Sequence, residues 1–183
     1  MRRADLLSGG RPVTLEEMLL ARDRRAARQQ RLLALYHQPV VSFTLVAPGP
    51  VKNSPKWRSV ADAACDAVFS LCLHHDWHTD GLLWSDANSG PEWMMAVCAS
   101  PLTLKEALVG LEQAHPLGRL WDVDVIDVAG VAVSRRELNL PGRRCLLCEN
   151  NAHVCARART HSLDLLLDEI TQRIENYERD ING

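Results

Sequence analysis

A chain of 183 residues with 46% hydrophobic and 24% charged side chains is long enough to bury one sizeable core. Its net charge of −2 argues against generic electrostatic binding to nucleic acid, and no apolar run reaches membrane-spanning length. The segment from Met1 to Gly10 carries basic residues without the apolar stretch of a secretory signal, so a cytoplasmic location with reduced cysteines is expected.

In chain order, Thr14-Leu15-Glu16-Glu17 reads as a capping box opening a helix to about Leu35. The charged face of that helix carries Arg22, Arg24, Arg25, Arg28 and Arg31, which read as a solvated surface. Pro39 ends the approach to a buried strand from Val40 to Val46. Pro48-Gly49-Pro50 forces a loop, and Ser54-Pro55 supplies an N-cap followed by proline at the first helical position. Trp57, Val60, Ala61, Ala64, Val68, Leu71 and Cys72 then fall at helical spacing on a core face, with Asp62, Asp66, His74 and His75 at the surface. Leu82 to Trp84 and Met94 to Cys98 read as short strands around the tight loop Ser89-Gly90-Pro91-Glu92, where Glu92 reads as a turn residue rather than a third acid. Thr103-Leu104-Lys105-Glu106 repeats the capping-box pattern and opens a helix to about Ala114. Asp127 to Gly130 turns the next strand into Val131 to Ser134 as a hairpin. A last amphipathic helix begins near Ser162 and carries Leu166, Ile170, Ile174 and Tyr177. The order predicts one α+β domain over 1–183, with helices covering one face of a mixed or antiparallel sheet and a small Cys-rich segment over 142–161.

The most informative stretch is His115-Pro116-Leu117-Gly118-Arg119-Leu120-Trp121-Asp122-Val123-Asp124-Val125. In a strand, Asp122 and Asp124 share one face while Trp121, Val123 and Val125 take the other. Two adjacent carboxylates repel and resist desolvation, and a hard divalent cation such as magnesium relieves both costs. Gly118 and Arg119 add a flexible backbone and a planar cation suited to phosphate. Upstream, Gly49 lets the backbone approach a ligand and Lys52 offers a mobile charge ahead of a helix N-terminus that favours anions. Together these suit phosphoryl or nucleotidyl transfer. The same spacings also fit a half-exposed strand and a structural turn with an exposed lysine.

Cys145, Cys148, Cys155 and His161 form a C-x2-C-x6-C-x5-H pattern, the ligand set of a structural zinc, with His153 as an alternative ligand. Reduced cysteines packing as small hydrophobes are the competing reading, and redox chemistry is a third.

These residues carry a resemblance. The sequence is similar to the citrate lyase holo-acyl-carrier-protein synthases, or apo-citrate lyase phosphoribosyl-dephospho-CoA transferases, from about Thr14 to His161. It runs through Ser42-Phe43-Thr44, Pro48 to Lys52, Ser89 to Glu92, His115 to Val125, Ser134-Arg135-Arg136, Arg143 to Cys148, and Cys155 to His161. The resemblance implies a nucleotidyltransferase-like enzyme using triphosphoribosyl-dephospho-CoA as donor. The phosphoribosyl-dephospho-CoA group would pass to a serine of the acyl carrier (gamma) subunit of citrate lyase, with pyrophosphate leaving. It makes Asp122 and Asp124 the catalytic acids and magnesium ligands. Arg119 would act beside them, and Lys52, Gly49 and Gly118 would bind the donor; neither nucleic acid nor membrane is implied. Two other functions compete: a zinc-stabilised module binding nucleic acid or protein through its arginines, and a nucleotidyltransferase with a different nucleotide donor.

Overall fold

The structure is a computed structural model that describes residues 3–182; Met1, Arg2 and Gly183, included in the single-domain expectation, lie outside the described residues. A short helix α1 (Arg3–Leu7) precedes α2 (Leu15–Tyr36). The predicted capping box is present: Glu17 N–H donates to Thr14 Oγ1 at 3.1 Å, and Thr14 N–H donates to Glu17 Oε2 at 2.8 Å. Strand β1 (Val40–Leu45) leads to α3 (Pro55–His74), capped by Ser54. The Ser54 hydroxyl accepts from Trp57 N–H at 3.2 Å and donates to the Leu6 carbonyl at 2.6 Å, which ties α1 to the start of α3. Then follow β2 (Thr79–Ala87), β3 (Gly90–Val97), α4 (Pro101–Ala114), a 3-10 turn at Gly118–Leu120, β4 (Trp121–Ile126), α5 (Ala152–Ala158) and α6 (Leu163–Asn182).

The strands form one sheet in the order β2-β3-β1-β4, and every neighbouring pair is antiparallel. One face carries Val41, Phe43, Trp93, Met95, Trp121, Val123 and Val125, packed with Trp57, Val60 and Val68 of α3, Leu104 and Leu108 of α4, and Ile170 and Ile174 of α6. The Phe43 and Trp93 rings stack there with centroids 4.9 Å apart. The opposite face is covered by α2, whose Leu32, Leu33 and Tyr36 meet Val40, Met94 and Ile126.

Helices therefore cover both faces, not one. The sequence reading missed this because only Ala21 and Leu32 of α2 are buried, while its middle is a run of arginines and glutamines that reads as a solvated face. Four local corrections have similar causes. Helix α4 starts three residues earlier than its capping-box pattern suggested, because Pro101 fixes a helical φ at the first position after Ser100. Glu92 lies inside the fully buried β3 rather than in a turn. The hairpin after β4 reduces to one bridge, Ile126 to Ala132, closed by the Asp127 carboxylate accepting from the Ala129 and Val131 N–H groups. On α6 it is Leu167, not Leu166, that is fully buried.

Candidate active site

Strand β4 is an edge strand whose two faces divide as its pattern dictates. Trp121, Val123 and Val125 are buried against the helices, while Asp122 and Asp124 point to the other side with side chains 52% and 56% exposed. Their antiparallel neighbours in β1 are Thr44 and Ser42, so two hydroxyls share the acidic face. The polar half of α2 runs along it. Gln29 Nε2 donates to Ser42 Oγ at 2.9 Å. Arg25 and Arg28 both pair with the buried Glu92, the Arg25 contact measuring 2.7 Å. These two arginines are thus not simply solvated, as the sequence suggested, but hold a carboxylate buried beneath the helix. Arg25 also adds positive field at Asp124.

The free edge of β4 is closed by charged side chains. Lys105 of α4, itself buried, donates from Nζ to the Val123 carbonyl at 2.7 Å and stands 3.8 Å from Asp124 Oδ1. Glu112, also on α4, accepts from Val123 N–H at 3.3 Å and pairs with Arg135. Arg143 donates to the Trp121 carbonyl, and at 3.3 Å to the Gly118 carbonyl; its Nη1 lies 3.4 Å from Asp122 Oδ1. An edge so saturated resists strand addition, and the same contacts bring cations to both aspartates. Partial withdrawal from water raises the Asp124 pKa above the usual carboxylate value. The Asp122 charge raises it further, against the pull of Lys105, Arg143 and Arg25. Burial raises Glu112 as well, opposed by Arg143, Arg135 and Lys105.

Outside this edge lies a cavity of about 300 Å³ lined by Glu112, Arg119, Arg135, Arg143 and Arg144. Four guanidinium groups against one carboxylate make it suited to a polyanion. Of the residues singled out from sequence, Asp122 and Asp124 stand together as expected. Arg119 lines the cavity, but its Nη2 donates to the carbonyls of Arg144 and Cys145, at 2.6 and 2.7 Å, and Arg143 is the arginine that reaches an aspartate. Gly118 is buried in the 3-10 turn, where a Cβ would stand 2.2 Å from the Glu112 carbonyl oxygen; only glycine lets this turn pass α4. Gly49 has φ of +82° in the loop after β1. Lys52 donates to the Ala47 carbonyl at 2.5 Å, and loss of water lowers its pKa. Among the described residues no ion pair joins Lys52 to either aspartate. Sequence reasoning missed Lys105 and Glu112. Their signal was a charged pair seven residues apart, one helical face, among the buried Leu104, Leu108 and Val109.

The C-terminal cysteines converge as their spacing suggested. The ligand atoms of Cys145, Cys148, Cys155 and His161 all lie within 4.8 Å of one another and can hold a metal ion. Cys148 Sγ is 3.5 Å from Cys155 Sγ and 3.3 Å from His161 Nε2. His153 is exposed on α5 and is not part of the group.

Comparison with known proteins identifies the family. Residues 13–177 match the family model described as apo-citrate lyase phosphoribosyl-dephospho-CoA transferase. A protein of that name from Escherichia coli (strain 536) is 43% identical over 172 residues, covering 94% of each chain. Another from Shigella boydii serotype 18 is likewise 43% identical, with 94% of each chain covered.

Proposed function

The chain belongs to the apo-citrate lyase phosphoribosyl-dephospho-CoA transferase family, and we propose that it catalyses the transfer this name describes. In this reading the donor is triphosphoribosyl-dephospho-CoA and the acceptor is a serine of the acyl carrier (gamma) subunit of citrate lyase. The observation that carries the reading is the acidic pair Asp122 and Asp124, flanked by Lys105 and Arg143, beside the arginine-lined cavity. Paired acids on an antiparallel sheet beside phosphate-binding groups are what we read as a nucleotidyltransferase-like site.

The serine oxygen attacks the α-phosphorus of the donor, an O–P bond forms, and the bond to pyrophosphate breaks. Arg143, Arg119, Arg135 and Arg144 receive the outer phosphates in their cavity and hold the leaving pyrophosphate. The two carboxylates, with the hydroxyl side chains of Ser42 and Thr44 beside them, are hard oxygen donors that fit magnesium. When bound there, that ion supplies neutralisation of phosphate charge. The alternative division of labour leaves the metal to Asp122 and lets an oxygen of Asp124 take the serine proton, a role suited to a carboxylate of raised pKa. Lys105 holds the free edge of β4 beside Asp124, through its bond to the Val123 carbonyl.

Three thiolates and an imidazole are a borderline-soft set, so zinc is the metal we assign to the Cys/His group. No described helix is long and apolar enough to cross a membrane, and the reading requires neither a membrane nor nucleic acid. A cytoplasmic setting would keep the thiols reduced. The test is pyrophosphate release with apo carrier subunit, compared between triphosphoribosyl-dephospho-CoA and common nucleoside triphosphates. Release specific to the former supports the proposal; equal or greater release with a nucleoside triphosphate overturns the donor assignment.

A further inference from the structure

We propose that one zinc ion on Cys145, Cys148, Cys155 and His161 serves to position Arg143 and Arg144 at the transfer site, an inference that rests on the transferase reading for what that site does. The donor atoms already stand close to ligand spacing. Zinc–sulfur bonds of about 2.3 Å and zinc–nitrogen bonds of about 2.0 Å put tetrahedral sulfurs roughly 3.8 Å apart, and sulfur and nitrogen roughly 3.5 Å apart. The observed 3.5 Å between Cys148 Sγ and Cys155 Sγ, and 3.3 Å between Cys148 Sγ and His161 Nε2, need small adjustments only. The His161 imidazole nitrogen turned toward Cys148 completes a set of three sulfurs and one nitrogen at a single point. Four protein ligands leave no open coordination position, so the ion is structural.

A second observation shows what such an ion would hold. Between Val133 and Leu167 the only fully buried side chains are Cys145 and Cys155. This long stretch therefore has almost no apolar core of its own, and a segment in that position needs a staple. Its backbone folds back on itself just beside the arginines. Ala152 N–H donates to the Arg143 carbonyl at 2.8 Å, Cys145 N–H donates to the Asn150 carbonyl at 2.6 Å, and Arg144 bridges Asn151. Arg159, at φ of 49°, then reverses the chain after α5 and returns His161 to the thiols. From the other side Arg119 grips the carbonyls of Arg144 and Cys145. The metal loop and the cavity wall are one structure, and Cys145 follows directly on the two arginines.

The test uses the whole chain, purified without a His tag. Elemental analysis should find about one zinc per chain, and Cys148→Ser should lose it. Reconstitution with cobalt should give the visible and thiolate charge-transfer bands of a tetrahedral sulfur-rich site. Less than about a tenth of an equivalent of zinc, together with no such cobalt spectrum, overturns the site. Positioning is read separately, by calorimetric binding of inorganic tripolyphosphate. Stripping zinc should weaken binding to the wild type about tenfold, a coupling of ordinary size. In the double variant Arg143→Met/Arg144→Met, stripping should add less than about a twofold loss, because both residues that zinc positions are already gone. Undiminished tripolyphosphate binding by the stripped wild type, or an equal loss in both backgrounds, overturns the positioning role. If the stripped protein unfolds, the comparison is made on zinc-loaded His161→Ala, which keeps three thiolate ligands but frees the return of the chain after α5; it should bind tripolyphosphate more weakly than the zinc-loaded wild type, and equal binding overturns the positioning role. None of these readouts uses transfer to the carrier, so a failed transferase reading would appear as absent transfer with the zinc and its coupling intact.

Discussion

Arg143→Lys keeps the positive charge and removes the fork. The native guanidinium donates to the Trp121 carbonyl and, at 3.3 Å, to the Gly118 carbonyl, while its other nitrogen lies 3.4 Å from Asp122. A lysine ammonium on a shorter reach cannot serve the strand edge and the aspartate together. Hydrogen bonds to a charged group contribute about 1.5–3 kcal/mol when well shielded. The Asp122 contact is long and half exposed, so screening leaves it worth under about 1 kcal/mol. Losing part of the carbonyl contacts should then cost about 1.5 kcal/mol, or about 3–6 °C in Tm for a chain of this length. The effect on chemistry should be larger. If the same fork contacts the transferring phosphates, transfer should fall on the order of a hundredfold, with a raised KM for the donor. Calorimetry and steady-state pyrophosphate release measure both. A variant with wild-type Tm, KM and kcat would refute the role assigned to Arg143.

Asp122→Asn and Asp124→Asn should each keep the fold, since both side chains are half exposed and nearly isosteric, yet lose transfer by about a hundredfold or more. Near-native turnover in both would remove the acidic pair from the mechanism. In metal-free protein, carboxyl NMR should show Asp124 titrating above its ordinary 3.8, and Asp122→Asn should move it down by removing the like charge. Because protons and magnesium compete for that carboxylate, magnesium affinity should fall as pH drops through this raised value; an Asp124 pKa unchanged in Asp122→Asn would contradict the coupling. Glu92→Gln leaves Arg25 and Arg28 facing a neutral amide beneath α2, and should cost about 2 kcal/mol in a urea melt after allowance for the partly exposed arginines. A loss below about 0.5 kcal/mol would mean that the pair does not anchor the helix.

Local chemistry made much of this molecule legible. The Thr14 capping box, the Ser54-Pro55 start of α3 and the alternation of β4 are written in adjacent residues, and each forms as read. What escaped depends on long-range pairing. Glu92 meets Arg25 and Arg28 only because β3 lies under α2, a relation that no spacing in the chain encodes. Arg119 and Arg143 look equally suited to an aspartate in sequence. The 3-10 turn aims the first at the Cys/His loop, and the return of the chain after β4 aims the second at Asp122. Lys105 and Glu112 look like ordinary helix charges until the unpaired edge of β4 gives them backbone partners. The acidic pair was visible because its period belongs to one strand; its cations were not, because they come from three other segments.

The most direct test of the central claim is the intact mass of the apo acyl carrier subunit after incubation with this protein, triphosphoribosyl-dephospho-CoA and magnesium. The account predicts one added phosphoribosyl-dephospho-CoA group on the carrier serine, with stoichiometric pyrophosphate. The same addition should be absent with a serine-to-alanine carrier and strongly slowed with Asp122→Asn. An unmodified carrier under conditions where a known family member modifies it would contradict the account, as would full modification by the Asp122→Asn protein.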